Sequence, residues 1–215
     1  MILANYLRRK NEERFEENNY IEQLANLIEW NSEEGRFRKR EIIKQLQKLN
    51  KYDLNLAFVD LHGDESDPSK CKFGPNFNLT DGILVNTDLS YLNFEQPSIF
   101  NLKRAHSSRF IDSFLGNSKF ENAHLQGVNF RQATLNGSSF DGSTIVGETD
   151  FEDANLSFVS FNNVHFSDTV NFINAIVDQD FMVRAKDWKM TGYNIFDDYE
   201  ISTWGNQRRL ARIFV

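Results

Sequence analysis

Cysteine, proline and long apolar runs are all scarce in this chain of 215 residues. Its single cysteine, Cys71, excludes an internal disulfide framework and fits a reducing cytoplasm. No stretch approaches the ~20 consecutive apolar residues of a membrane span, so no membrane contact is expected. Only Met1 to Leu7 precede Arg8, Arg9 and Lys10. A secretory signal places its charge first and a longer apolar run after it, so export is not indicated. Catalytic signatures are missing too. His62, His106, His124 and His165 lack metal-ligand spacing, and there is neither a glycine-rich phosphate loop nor a serine in a strained nucleophile turn. The expectation is a protein that is not an enzyme and needs no metal or cofactor.

What the chain has is phenylalanine, 20 residues of it against 3 Pro and 11 Gly. That many rings need many equivalent buried positions, which a repeating core supplies. Charge is uneven. Residues 1–70 carry 12 Lys/Arg and 14 Asp/Glu, residues 71–181 carry 6 and 13, and residues 182–215 carry 6 and 4. The overall charge of -7 therefore belongs to the middle of the chain. Such a surface repels nucleic acid directly and favours basic partners.

Apolar residues in that middle segment follow neither a helical nor a simple strand period. They recur every fifth residue, as in Phe110, Leu115, Phe120, Leu125, Phe130, Leu135, Phe140 and Ile145. With three register slips, 19 of 20 such positions from Leu79 to Val177 are Leu, Ile, Phe or Val, the exception being Ala105. A second column two residues earlier prefers small or β-branched side chains, among them Ser113, Ala123, Val128 and Ala133. Cys71 falls in that column, ahead of Phe73, and is expected to be buried and inert. The other positions are rich in Asn, Asp and Gly, the chemistry of tight turns.

Ala154-Asn155-Leu156, Val128-Asn129-Phe130 and Thr149-Asp150-Phe151 resemble the pentapeptide-repeat family, whose pattern is Ala, Asp or Asn, Leu or Phe, and two variable residues. The resemblance implies a β solenoid: a right-handed quadrilateral β-helix with four repeats per coil. The extra residues before Phe151 and Phe172 then fall at one corner of successive coils. The expected organisation is a helical N-terminal cap or extension over 1–52, the β-helix over 53–181 and a short C-terminal cap over 182–215.

In the N-terminal part, Tyr20, Ile21, Leu24, Leu27 and Ile28 share one helical face, and Ile42, Ile43, Leu46 and Leu49 another. These helices read as a cap, with a docking module as the alternative. The basic run Arg36, Arg38, Lys39, Arg40 reads as a solvated face paired with nearby glutamates, with phosphate binding as the alternative. At the other end, residues 206–215 read as a short helix.

Two departures from the repeat are candidate interaction sites. The segment His62 to Lys70, with Asp64, Glu65 and Asp67, reads as a projecting acidic loop that lacks the ligand set for calcium. The stretch around Ala105 places Lys103 at an inward position, so either the chain bulges or Leu102 fills the interior. Lys103, Arg104, His106 and Arg109 form the main basic patch on an otherwise acidic segment.

A regular core under a variable polar exterior points to a non-catalytic protein–protein interaction scaffold with an unidentified protein partner. A homodimer through the C-terminal end is a further expectation, since some members of the family it resembles pair that way. The alternative, also from the resemblance, is a DNA mimic that binds DNA gyrase or topoisomerase IV.

Overall fold

The computed structural model describes residues 2–66, 71–73, 77–80, 82–85, 87–94, 98–192, 195–204 and 206–213. Two helices, α1 (Ile2–Asn26) and α2 (Glu33–Lys48), precede a four-faced β-solenoid. The first face is a parallel sheet of six strands: β2 (Ile83–Val85), β4 (Arg104–His106), β5 (His124–Gln126), β6 (Thr144–Val146), β7 (His165–Phe166) and β9 (Thr191–Gly192). Single parallel bridges build the second face through Asp60, Asp88, Arg109, Asn129, Asp150 and Asn171. The third face starts at β1 (Lys72–Phe73) and β3 (Asn93–Phe94) and ends at β8 (Ile176–Val177). Asn78, Ile99, Lys119, Ser139 and Ser160 form the fourth.

The corners explain the Asn, Asp and Gly content. Ser113, Ala133 and Ala154 each donate an N–H to the carbonyl three residues back, at 3.2, 3.0 and 3.0 Å. The residue before each, Asp112, Gln132 or Asp153, has φ of 52°, 61° or 57°. A positive φ at the third turn residue is the type II requirement, which Gly, Asn and Asp meet most easily. At Gly137 (φ +71°) a Cβ would also press on the Asn117 side-chain amide of the coil before, which would have to shift.

Inside, the five-residue period becomes two facing ladders of rings. Phe110, Phe130, Phe151 and Phe172 line the second face, and Phe100, Phe120, Phe140 and Phe161 the fourth. Rings stack within a ladder, as Phe130 on Phe151 at 5.0 Å and 7°. Across the core they meet edge to face, as Phe120 with Phe130 at 5.4 Å and 88°. Both arrangements suit the ring quadrupole and add roughly 0.5–1.5 kcal/mol per pair to area burial. The small column fits between the corners, and its hydroxyls bond the adjacent coil: Ser113 Oγ donates to Leu89 O and Ser138 Oγ to Leu115 O. At Ala105 the interior is completed by Leu102, 1% exposed, while Lys103 points to solvent. The two insertions do share a corner, where Thr169 Oγ1 donates to Gly147 O.

The helices cover the first coil in an unexpected way. Ile42, Ile43 and Leu46 of α2 join the core, together with Leu24 of α1. Ile21, expected on the packed face, is 39% exposed. The basic run is not a solvated face. Lys39 is fully buried and donates to Ile28 O, Asn31 Oδ1 and Asp60 O, while Arg40 NH1 donates to Leu61 O and His62 O. Those coil carbonyls are capped by the two cations. Arg38 does pair with Glu34, and Trp30 lies against its guanidinium at 5.4 Å.

At the other end α3 (Phe181–Asp187) and a short 3-10 turn (Ile195–Asp198) close the core. The expected terminal helix is absent. Gln207–Arg212 is strand β11, antiparallel to both β10 (Tyr199–Trp204) and β8. Its N–H and carbonyl groups serve the last coil: Leu210 N–H donates to Ala175 O, and Leu210 O accepts from Asn174 N–H. Tertiary pairing therefore overrides the helix-forming composition of the segment.

Candidate interaction surface

The structure splits the basic patch. Arg104 and His106 stand on the first face, with Lys103 exposed at the adjoining corner. Arg109 belongs to the second face, where NH2 bonds Asp88 Oδ2 at 2.6 Å. The same face holds Arg131, bonded to Glu152 at 3.0 Å. Carboxylates there alternate with arginines that neutralise them.

Of the acidic loop, Asp64 and Glu65 are exposed, and Asp67 lies outside the described residues. Asp64 Oδ1 accepts from the Ser66 backbone and hydroxyl, and its own N–H reaches Cys71 Sγ at 3.2 Å. Glu65 faces the corner beyond the second face. Burial, with Glu65 adding to it, pushes the Asp112 carboxyl and the Tyr91 hydroxyl above their usual ranges. The loop and α2 bound a polar cleft of about 290 Å³, lined in part by Arg36, Arg40, His62 and Cys71. Cys71 is thus half-buried beside a cleft, not sealed in the core.

One constellation was invisible in sequence spacing. Asp60, His62 and Asp88 bring ligand-capable atoms within 4.8 Å of one another. Their register crosses the irregular loop, so no short motif marks them. His62 Nδ1 already bonds Asp60 Oδ1 at 2.7 Å, Asp60 lies 3.9 Å from Arg36, and Asp88 is held by Arg109. With each carboxylate facing a guanidinium, the arrangement is an ion-pair network tying the helical end to the coils.

Two side chains stand out for breaking the corner rule. Phe58 (φ 62°, 64% exposed) and Phe158 (φ 60°, 72% exposed) occupy left-handed corner positions with their rings in solvent. Equivalent corners use Asn117, Gly127 or Gly137. A bulky residue there is strained and gains little burial in return.

Residues 113–155 match the family model for pentapeptide repeats (9 copies). The chain carries pentapeptide repeats. No curated protein sequence matches it. Among solved structures, the pentapeptide-repeat segment is similar to the pentapeptide repeat protein Rfr23 of the cyanobacterium Cyanothece 51142. Identity is 18%, covering 63% of this chain and 97% of that one, with a TM-score of 0.46. A pentapeptide repeat protein of the Arabidopsis thaliana thylakoid lumen matches at 19% identity, over 66% of this chain and 83% of that one, with a TM-score of 0.36. HetL of Nostoc, a pentapeptide repeat protein involved in heterocyst differentiation regulation, matches at 14% identity over 60% and 68%, with a TM-score of 0.23. Among the described residues no helix is long and apolar enough to cross a membrane.

Proposed function

We propose that the protein is a non-catalytic interaction scaffold, a rigid pentapeptide-repeat rod that binds a protein partner through its exterior. Phe58 and Phe158 carry this reading. Their exposed rings add little to the coil and make backbone strain worse, which supports a value in an external contact. Aromatic anchors of this kind dominate protein interfaces. The test is affinity capture with the intact protein beside a Phe58→Asn, Phe158→Asn double variant. Loss of specific proteins from the variant supports the reading, and capture of nothing above background across several lysates ends it.

DNA mimicry is the weaker reading. The charge of -7 favours it, but Arg109 and Arg131 interrupt the acidic row on the second face. A gyrase supercoiling assay with neither inhibition nor drug protection removes it. Homodimerisation through the C-terminal end is favoured by β10, the outer strand of its sheet. Sedimentation of a monomer at all concentrations excludes it. The single half-buried thiol of Cys71 fits a reducing, cytoplasmic setting.

A further inference from the structure

The first face differs from the rest of the rod in charge. Its strands bury the central residue and leave the flanking ones half-buried or exposed, most openly in β5, where Leu125 is buried between exposed His124 and Gln126. Strand register sets the exposed residues in two rows. One runs from Ile83 through Arg104, His124, Thr144 and His165 to Thr191, and the other from Val85 through His106 and Gln126 to Val146. Neither row contains a carboxylate, although the chain carries 31 Asp and Glu. Adjacent parallel strands lie about 4.8 Å apart. Arg104 is therefore one strand from His124 and shares its own strand with His106.

The positive groups here are also uncommitted. Arg109, Arg131, Arg184 and Arg209 each bond a carboxylate, at 2.6, 3.0, 2.6 and 2.9 Å. Among the described residues neither Arg104 nor Lys103 has an ion-pair partner. His106 keeps its Nδ1 buried and without a hydrogen-bond partner. Thr144 lies level between His124 and His165 in its row.

We infer that this carboxylate-free face docks an acidic polypeptide segment of the partner, an inference that rests on the scaffold reading and names the chemistry of its ligand. The argument is charge complementarity: Lys103 and Arg104, which have no ion-pair partner among the described residues, gather with three imidazoles, of which His165 meets the Thr191 hydroxyl at 3.2 Å, on one face of a net-negative rod and select an anionic surface. The strands are two or three residues wide, at most roughly 10 Å, and Asp88, Asp150 and Glu152 lie on the neighbouring face, paired there with Arg109 and Arg131. An extended acidic segment fits within that width.

The test is fluorescence anisotropy of a labelled oligo-glutamate peptide with the full chain at low ionic strength. Saturable binding is expected, weakened as salt rises from about 50 to about 200 mM. The double variant Arg104→Glu, His124→Glu should weaken it about tenfold or more, while Arg131→Glu on the second face leaves it within about twofold. Arg104→Ser, a milder change at an exposed position, gives the same direction if the charge reversals unfold the coil, with circular dichroism as the check. No binding at low salt, equal binding by the Arg104 variants, or preference for a duplex oligonucleotide of equal charge overturns the inference. Should lysate capture return the same proteins with wild type and the Arg104→Glu, His124→Glu variant, this face is not the dock, yet the scaffold reading stands.

Discussion

The two ends of the solenoid solve one problem by different chemistry. A coil at either end has backbone groups with no further coil to pair with, and unpaired buried groups cost about 1–3 kcal/mol each. At the N-terminal end buried side-chain cations serve them: Lys39 and Arg40 reach the carbonyls of Asp60, Leu61 and His62. At the C-terminal end the backbone itself continues the ladder through β9 and β11, and Phe172 N–H donates to the Tyr199 hydroxyl at 3.0 Å. An aromatic plug centred on Phe196 then covers the last rings, touching Phe161, Phe166, Phe172, Phe181 and Trp188. A ladder can be ended by charge or by more ladder. The first leaves a polar cleft beside it, and the second leaves a sealed core.

The largest expected effect is at the plug. Phe196→Ala should cost about 3–5 kcal/mol in chemical denaturation, since it removes a buried ring with five ring partners. A loss below about 1 kcal/mol would mean that the strands alone hold this end. At the opposite end, Lys39→Met keeps the bulk and removes the donor. About 2–3 kcal/mol should be lost, with faster hydrogen exchange near Leu61. If stability rises instead, the burial cost of the ammonium exceeds what its hydrogen bonds return.

Acid should separate the ends further. Burial alone would raise the Asp178 carboxyl, but paired bonds from Arg184 and the N–H groups of Phe158 and Asp180 bring it down to about 2 from an ordinary 3.8. A carboxylate depressed in the folded state contributes stability above its unfolded value and loses it as pH falls through the folded one. Between pH ~4 and ~2 the wild type should therefore lose stability that Asp178→Asn lacks throughout, and parallel pH curves for the two would refute the assignment. The slope has the same sign at Lys39, but there the depressed value marks a cost and not a contribution. Burial lowers its ammonium from 10.5, so the cost of keeping it charged is relieved as the pH rises toward that value. The smallest effect is expected at the corners: Phe58→Asn and Phe158→Asn should each raise stability by about 0.5–1 kcal/mol in thermal unfolding. A decrease would reveal packing by the ring.

The sequence made the coil legible and left the caps obscure. A five-residue period places Phe130 over Phe110 whatever else the chain does, because one inward position per face is a local constraint. Lys39 and Arg40 were misread because charge ordinarily signals solvent, and only the coil carbonyls reverse that preference. Strand β11 was misread because its pairing with β8 is supplied by tertiary structure alone. The first face lies between these cases. His124 follows Arg104 by one coil, so their adjacency could have been counted from the period. Arg104 reads from the sequence as part of a basic patch, whereas His124 taken alone reads as an ordinary surface histidine.

The placement of indole has a practical consequence. Of the 3 tryptophans, Trp30 sits at the helical end, Trp188 in the plug and Trp204 on β10, so the coils between are built on phenylalanine without tryptophan. Ultraviolet emission from this protein therefore reports its two extremities while the long middle stays dark. Replacing Trp188 and Trp204 with Phe leaves a lamp at Trp30 alone, and replacing Trp30 leaves the other end lit. With that pair of variants, fraying of either terminus can be timed separately from melting of the rod, which far-ultraviolet dichroism follows.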